Sequence, residues 1–359
     1  MKIFAVLMAG GVGTRFWPRS RAKNPKQVLD ILNHETMIEA TFKRLKGLVD
    51  SSHIFVVTNQ VQKEIISKYL PQLKAENYII EPFGRNTAPC IALAAMIIQQ
   101  IHAEGVMVVL PADHLISNIE EFQRVIRHAA QFASETNGLV TLGIAPTYPS
   151  IGYGYIQRGE EIRKINGDSV YQVKTFAEKP NLDTAMRFLE SGDFYWNSGM
   201  FIWRTSTILQ EIEDKLPEIH EGFTQIKAHI GKPSFQSKIE NVYKRIRGIS
   251  IDYGVMQTAQ NVYVIPANMG WNDVGSWEVV FDISEKDKNK NCGDFKDLHV
   301  VDANENYIYA PKKLVALVGV KNMIVVDTGD ALLVCKKSRA QDVKEIVEQL
   351  RKSGMNDYL

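Results

Sequence analysis

Four short apolar runs constrain this chain more than anything else in it: IFAVLM at 3–8, HIFVVT at 53–58, VMVVLP at 106–111 and GLVTLGI at 138–144. Each is the length of one strand and carries almost no polar side. Strands that are apolar on both faces belong in a parallel sheet covered above and below. YII at 78–80 reads as one more short strand. Between the runs lie stretches of helical period at 36–49, about 60–70 and 121–136. TAPCIALAAMIIQQIHAEG, 87–105, is apolar nearly all round, which predicts a deeply packed helix. The alternation predicts an α/β domain built on a mainly parallel sheet of Rossmann-like topology.

After about residue 145 the pattern loosens. Strands are expected at 170–176 and 199–203, and helices at 181–190, 205–216 and 234–247. EKDKNKNCGD, 285–294, reads as a polar linker. HVV, YIY, LVALV, MIVV and ALLV follow as closely spaced short strands, and QDVKEIVEQLRK, 341–352, as a last helix. The expected division is a large domain over 1–284 and a small β-rich domain over 285–359.

Composition narrows the function. The 42 basic and 41 acidic side chains leave a net charge of +1, so a general nucleic-acid binder is not expected and any basic work must be local. Cys90, Cys292 and Cys335 are odd in number and lack metal-ligand spacing, which favours a reducing, cytoplasmic setting. MKIFAVLMAG is too short an apolar run for a signal peptide, and no run reaches the ~18 apolar residues of a membrane span.

The first strand runs into AGGVGTRFWPRSRAKNPK, residues 9–26. Gly10, Gly11 and Gly13 let the backbone approach a ligand and aim its N–H groups at it. Ligands of open α/β sheets bind beyond the carboxyl ends of strands, which is where this loop lies. It is no dinucleotide fingerprint, because Phe16 stands where the third glycine is needed, and no P-loop, because G-K-[ST] is absent. Arg15, Arg19, Arg21, Lys23 and Lys26 follow with no acid among them. Pro18 and Pro25 stop the segment from continuing as a helix. A polyphosphate would relieve the repulsion among those cations, and Arg suits paired phosphate oxygens.

Gly10 to Lys26 closely resembles the signature of sugar-1-phosphate nucleotidyltransferases. E-P-F-G-R-N-T-A-P at 81–89, P-A-D-H at 111–114, F-A-E-K-P at 176–180, N-S-G-M-F at 197–201 and W-N-D-V-G-S-W at 271–277 look like those of the mannose-1-phosphate guanylyltransferases. The likeness runs from end to end. It implies attack of a mannose 1-phosphate oxygen on the α-phosphorus of GTP, giving GDP-mannose and pyrophosphate. It also implies partial β-helix character in the small domain, a Mg²⁺ ion and a homodimer.

The chemistry asks for charge neutralisation and alignment, since an ionised phosphate needs no strong base. By resemblance, Ala9, Gly10, Gly11, Gly13 and Thr14 cradle the nucleotide, and Arg15 and Lys26 bind the triphosphate; Arg19, Arg21 and Lys23 are expected to be solvated helpers or structural. Asp113 reads from its position as either a ligand at a strand end or a turn or cap residue, and Asp273 as either a ligand or a turn residue; the resemblance makes both chelators of Mg²⁺. His114 is expected to be a structural hydrogen bonder. Glu178 and Lys179 by themselves read as a surface ion pair; the resemblance makes Glu178 and Asn197 partners of sugar hydroxyls and puts Lys179 on the sugar phosphate. Tyr153 and Gly154, in G-Y-G-Y, are assigned to the loop over the sugar, against a plain hairpin turn. Arg85, Asn86 and Thr87 are assigned to guanine recognition, although Asn86 or Thr87 could simply cap the helix that follows.

Two rivals stay open: a nucleotidyltransferase for another sugar or base, and a catalytically silent nucleotide-sugar binder. The second would have no need to keep Arg15, Lys26, Asp113 and Asp273. A dehydrogenase is disfavoured by the failed fingerprint. Some members of the family carry an isomerase domain after the small β domain; no isomerase activity is expected of these 359 residues.

Overall fold

A computed structural model describes residues 1–32 and 35–359. The first elements are β1 (Ile3–Met8), α1 (Met37–Lys43), β2 (Ile54–Thr58), α2 (Gln60–Tyr69), β3 (Tyr78–Ile80), α3 (Thr87–Ile101), β4 (Val106–Pro111), β5 (Leu115–Ile116), α4 (Ile119–Glu135) and β6 (Leu139–Ile144). Then come β7 (Gly154–Ile165), β8 (Asp168–Glu178), α5 (Leu182–Ser191), β9 (Phe194–Arg204), α6 (Thr205–Lys215), α7 (Pro217–Lys227), α8 (Phe235–Arg245), β10 (Val262–Pro266) and β11 (Trp271–Asn272). The chain ends with α9 (Trp277–Ile283), β12 (Cys292–Val301), β13 (Tyr307–Val318), β14 (Met323–Asp327), β15 (Leu332–Lys336) and α10 (Val343–Lys352).

The chain divides into two compact units. The first is Met1–Gly10, Phe42–Lys63 and Leu70–Asn272; the second is Gly11–Thr41, Glu64–Tyr69 and Asp273–Leu359.

In the first unit, nine strands among the described residues form one mixed sheet in the order β3-β2-β1-β4-β9-β6-β10-β8-β7. Strands β3, β2, β1 and β4 are mutually parallel, as are β6 and β10. Strand β9 runs antiparallel between β4 and β6. The four apolar runs are all strands of this sheet, and β2 is buried along its whole length. Helix α3 buries Ala88 to Met96 without a break, as its all-round apolarity predicts. With Phe201, Trp203 and Tyr243 it belongs to one large core cluster. Asn118 caps α4 by accepting from Glu121 N–H at 3.0 Å, and Asn181 caps α5 through Thr184 N–H at 2.9 Å.

The sequence reading departs from the structure at several elements. The helix expected over 36–49 stops at Lys43, and tight turns follow. Strand β7 goes unannounced in the sequence: 152–155 reads there as a loop or hairpin turn, and the mostly polar YIQRGEEIRKI shows no strand pattern. It pairs instead along β8 with three register shifts, its outer residues in water. Pairing of main-chain groups carried that hairpin without an apolar face to announce it.

In the second unit, β12, β13 and β14 are parallel and β15 antiparallel to β14. Cys292 pairs with Tyr307, and Tyr307 with Ile324, so the chain returns beneath itself at each pairing, which is the coiling of a β-helix. Buried Asn291 and Asn306 stack at the corners: Asn306 Nδ2 donates to Asn291 Oδ1 at 3.0 Å, and Met323 N–H donates to Asn306 Oδ1 at 2.9 Å. YIY and LVALV, read as two strands, are one strand with an irregularity between them. Cys292, placed in the linker, is already buried in β12.

Candidate active site

The first unit holds Ala9, Gly10, the 85–87 segment, Asp113 and the sugar-side motifs. Because β3, β2, β1 and β4 are parallel, their carboxyl ends share one edge. Met8 pairs with Pro111, so Ala9 and Gly10 leave the sheet beside the segment carrying Asp113. Ala9 is buried; its N–H donates to Val57 O at 2.9 Å and its carbonyl accepts from the Thr58 hydroxyl at 2.9 Å. Gly10 faces Glu81, whose Oε2 is 3.5 Å from where a Cβ on Gly10 would stand. Asp113 is half-buried. His114 takes the structural role expected of it: its Nδ1 accepts the Trp271 indole N–H at 3.1 Å, and its carbonyl accepts from Arg44 at 2.8 Å.

Asn86 is the N-cap of α3 and accepts from Thr87 N–H at 2.9 Å. The Thr87 hydroxyl accepts Ile251 N–H at 2.8 Å. Arg85 Nε donates to Tyr243 O at 2.8 Å, with the guanidinium 4.9 Å over the Phe83 ring. The Arg85 and Thr87 side chains fasten 85–87 to 243–251. Tyr243 also donates its hydroxyl to buried Glu81 at 2.9 Å. Burial raises the Glu81 pKa to about 7, against the downward pull of that hydroxyl. Glu81 stands inside a motif that the sequence singled out, yet nothing in the pattern gave it a role.

On the sugar side, strand register does the assembling. Gly154 on β7 pairs with Glu178 on β8, and Tyr155 with Trp196 on β9. A Cβ on Gly154 would overlap the Glu178 carboxylate and come within 3.3 Å of Asn197 Cβ. The structure therefore brings Gly154, Glu178 and Asn197 together. Lys179 Nζ reaches Glu178 Oε1, and Lys179 N–H donates to Tyr153 O at 3.2 Å. The Tyr153 ring meets Trp196 and Trp271 edge-on at 5.0 and 5.3 Å. Asp252 joins the cluster by accepting from Asn197 Nδ2 at 2.8 Å. No spacing or composition signal marks an isolated Asp in GISIDYGV.

The second unit holds Gly11, Gly13, Thr14, Arg15, Lys26 and Asp273. Within the loop, Thr14–Phe16 and Lys26–Val28 are short 3₁₀ turns. Gly13 has φ 78°, and the place of its missing Cβ is filled by the Lys26 side chain, so glycine is required there twice over. Lys26 is 5% exposed and its Nζ donates to Asp273 O at 2.8 Å. Arg15 is exposed and makes no hydrogen bond or ion pair among the described residues. Phe16 packs edge-on against Trp277 at 5.0 Å, and Trp277 Nε1 donates to Trp17 O at 3.3 Å.

Two of the five loop cations take the structural role expected of them, and their charge is met by acids outside the loop. Arg19 pairs with Asp30 and lies 4.0 Å over Tyr309, and Arg21 grips Asp330 at 2.6 and 2.8 Å. Asp330 is too distant in sequence for a local pattern to reveal it.

The Asp273 carboxylate folds over Gly275, its Oδ2 2.8 Å from where a Cβ would stand. Val274 is held at φ 46°, a costly conformation for a β-branched residue. Asn86 at φ 69° and Lys179 at φ 48° are similarly strained. All three lie in motifs singled out from the sequence, where backbone strain tends to collect at functional sites. Among the described residues, no three His, Cys, Asp or Glu side chains gather as a metal cage, and no helix is long and apolar enough to cross a membrane.

Comparison with known proteins agrees with this geometry. Residues 4–290 match the nucleotidyl transferase family, and residues 298–350 match the mannose-phosphate isomerase/GMP-like β-helix domain. A mannose-1-phosphate guanylyltransferase of Salmonella typhimurium (strain LT2) is 41% identical over 365 residues, covering 100% of this chain and 74% of that one. One of Escherichia coli (strain K12) is 39% identical over 362 residues, covering 99% and 75%. A crystal structure from Thermus thermophilus, named as a mannose-1-phosphate geranyltransferase, superimposes with TM-score 0.87 at 32% identity, covering 98% of this chain and 100% of that one. Its name specifies a geranyl group where those of the sequence relatives specify guanylyl. Family, fold and the β-helix character of the small domain all follow as the motifs implied: the chain belongs to the nucleotidyl transferase family, within its mannose-1-phosphate guanylyltransferase branch.

Proposed function

We propose that this enzyme transfers GMP from GTP to mannose 1-phosphate, releasing pyrophosphate and giving GDP-mannose. The observation that carries the reading is the end-to-end match, at 41% identity, to an enzyme named for that reaction. A sugar-phosphate oxygen attacks the α-phosphorus while the bond to the β-phosphate oxygen breaks. Two polyanions must approach, so cations and main-chain N–H groups do most of the work.

Gly10, Gly11, Gly13 and Thr14 supply N–H groups to the nucleotide. Arg15, exposed and without a protein partner among the described residues, is suited to triphosphate oxygens, and Lys26 to the charge that grows on the leaving pyrophosphate. Arg85, Asn86 and Thr87 supply the base side; Arg85 Nε, the Thr87 hydroxyl and the Thr87 N–H are already engaged, which leaves the rest of the segment to read guanine. Glu178 and Asn197 hold sugar hydroxyls, Lys179 meets the sugar phosphate, and the Tyr153–Gly154 turn closes on the ring.

The donor types at Asp113 and Asp273 fit Mg²⁺, a hard cation that takes one or two carboxylates and completes its shell with water and phosphate oxygens. The Asp273 carboxylate rests on a glycine that leaves it room. When bound, the ion would neutralise phosphate charge.

The test is pyrophosphate release with four nucleoside triphosphates crossed with several sugar 1-phosphates. Geranyl diphosphate joins as a fifth donor because the Thermus name specifies that group. GTP with mannose 1-phosphate should be the best pair by kcat/KM. A better rate with any other pair, or no release with this one, overturns the reading.

A further inference from the structure

The sugar-side motifs leave one carboxylate without a role. Asp252 opens a short π-helical turn, Asp252–Met256, which no motif of the chain includes. Burial raises its pKa to about 6, and the Glu178 charge pushes the same way. Its own main-chain N–H, the Asn197 amide and Lys179 pull it down. Its geometry is more telling than its titration.

Asn197 Nδ2 donates to Asp252 Oδ1 at 2.8 Å. The other end of that amide is fixed independently. Asn197 Oδ1 accepts Gly199 N–H at 3.1 Å, and the Thr141 hydroxyl stands 3.3 Å from it. A main-chain N–H can only donate, so the amide cannot turn over without losing both ends of its network. One Nδ2 proton is thereby committed to Asp252, and the second has no partner among the described residues. The Asn197 and Glu178 side chains border the same space, since the missing side chain of Gly154 lies against Asn197 Cβ and the Glu178 carboxylate. A donor and an acceptor lining one space suit a pair of sugar hydroxyls.

We infer that Asp252 is the positioning residue of the sugar subsite: it orients the Asn197 amide so that one N–H is presented to a hydroxyl of the hexose phosphate. The inference rests on the mannose 1-phosphate reading above. Asp252 acts through Asn197, so its removal should cost sugar binding and spare the nucleotide.

The experiment is steady-state kinetics on Asp252→Ala, Asn197→Ala and the double variant, with the KM of each substrate measured separately. Asp252→Ala should raise KM for mannose 1-phosphate about 10-fold, the scale of a lost hydrogen bond to a charged group, and leave KM for GTP within about 2-fold. Because both residues act through one amide, the double variant should be no worse than the weaker single. Asp252→Asn, which can still accept from Asn197, should restore most of the loss. Multiplying effects in the double variant, equal changes in both KM values, or a lowered melting temperature with both KM values unchanged would overturn the inference. If Asp252→Ala does not fold, Asp252→Ser takes its place with the same expected split. A wild-type enzyme without activity on GTP and mannose 1-phosphate would overturn the underlying reading; an active wild type with an unaffected Asp252→Ala would overturn this inference alone.

Discussion

Lys26 Nζ donates a 2.8 Å hydrogen bond to the main-chain oxygen of Asp273, although 247 residues separate them. The ammonium is buried, so its desolvation has to be offset by hydrogen bonds, and this is one of them. One consequence is that the loop cation and the strained NDVG turn hold each other in place.

Lys26→Ala should lower kcat and raise KM for GTP, with a combined loss of about 10- to 150-fold, the equivalent of one charge-assisted contact of about 1.5–3 kcal/mol. An interaction that strengthens as charge develops on the leaving group registers in kcat as well as KM. Lys26→Arg should recover only part, because a planar fork does not replace a compact ammonium in the space against Gly13. Kinetics with saturating mannose 1-phosphate and varied GTP measure this. A variant with lowered melting temperature and unchanged kcat and KM would leave Lys26 a structural role only.

Asp273→Asn keeps the shape of the side chain and the carbonyl that Lys26 uses, and removes only charge. Turnover should fall about 10²-fold or more, and Asp113→Asn should do the same, since losing a metal ligand loses several kcal/mol of charge stabilisation. Titrating Mg²⁺ against each variant is the check. Near-wild-type turnover at limiting Mg²⁺ would show that the residue concerned is not a ligand.

Gly154→Ala should displace the Glu178 carboxylate, which occupies the space of the new methyl. Because the overlap is with the far end of a flexible side chain, the carboxylate can swing away at little cost in stability, and the effect should fall on the sugar subsite instead. It should raise KM for mannose 1-phosphate and spare KM for GTP. Equal effects on the two substrates would place Gly154 outside the sugar subsite.

Stability should fall as pH rises from about 4.5 to about 7 by an amount traceable to Glu81. Its folded pKa is raised to about 7 from the ordinary 4.5. Between those values the folded protein keeps a proton that the unfolded chain has released, so rising pH favours unfolding; below 4.5 both states are protonated and above 7 both are ionised. The most this group contributes is about 3 kcal/mol. Glu81→Gln should flatten that part of the curve in urea melts at pH 5, 6, 7 and 8. Identical slopes for the two proteins would refute the assignment.

Local pattern alone determined the elements of the parallel half of the sheet, the buried helix α3 and the motif segments, because apolar period and glycine spacing are properties of neighbouring residues. It also reached His114, whose structural role the indole of Trp271 bears out. It did not reach the polar hairpin strand β7, which main-chain pairing sustains. Nor did it reveal that Gly11–Thr41 packs with Asp273–Leu359, a grouping joined by Trp17 with Trp277 and Arg21 with Asp330. Asp30 and Asp330 as counter-charges, Glu81 as a buried acid and Asp252 behind Asn197 were likewise decided only by tertiary structure. Each depends on a partner brought close by strand register or by a turn far along the chain, and distance in space leaves no period in the sequence.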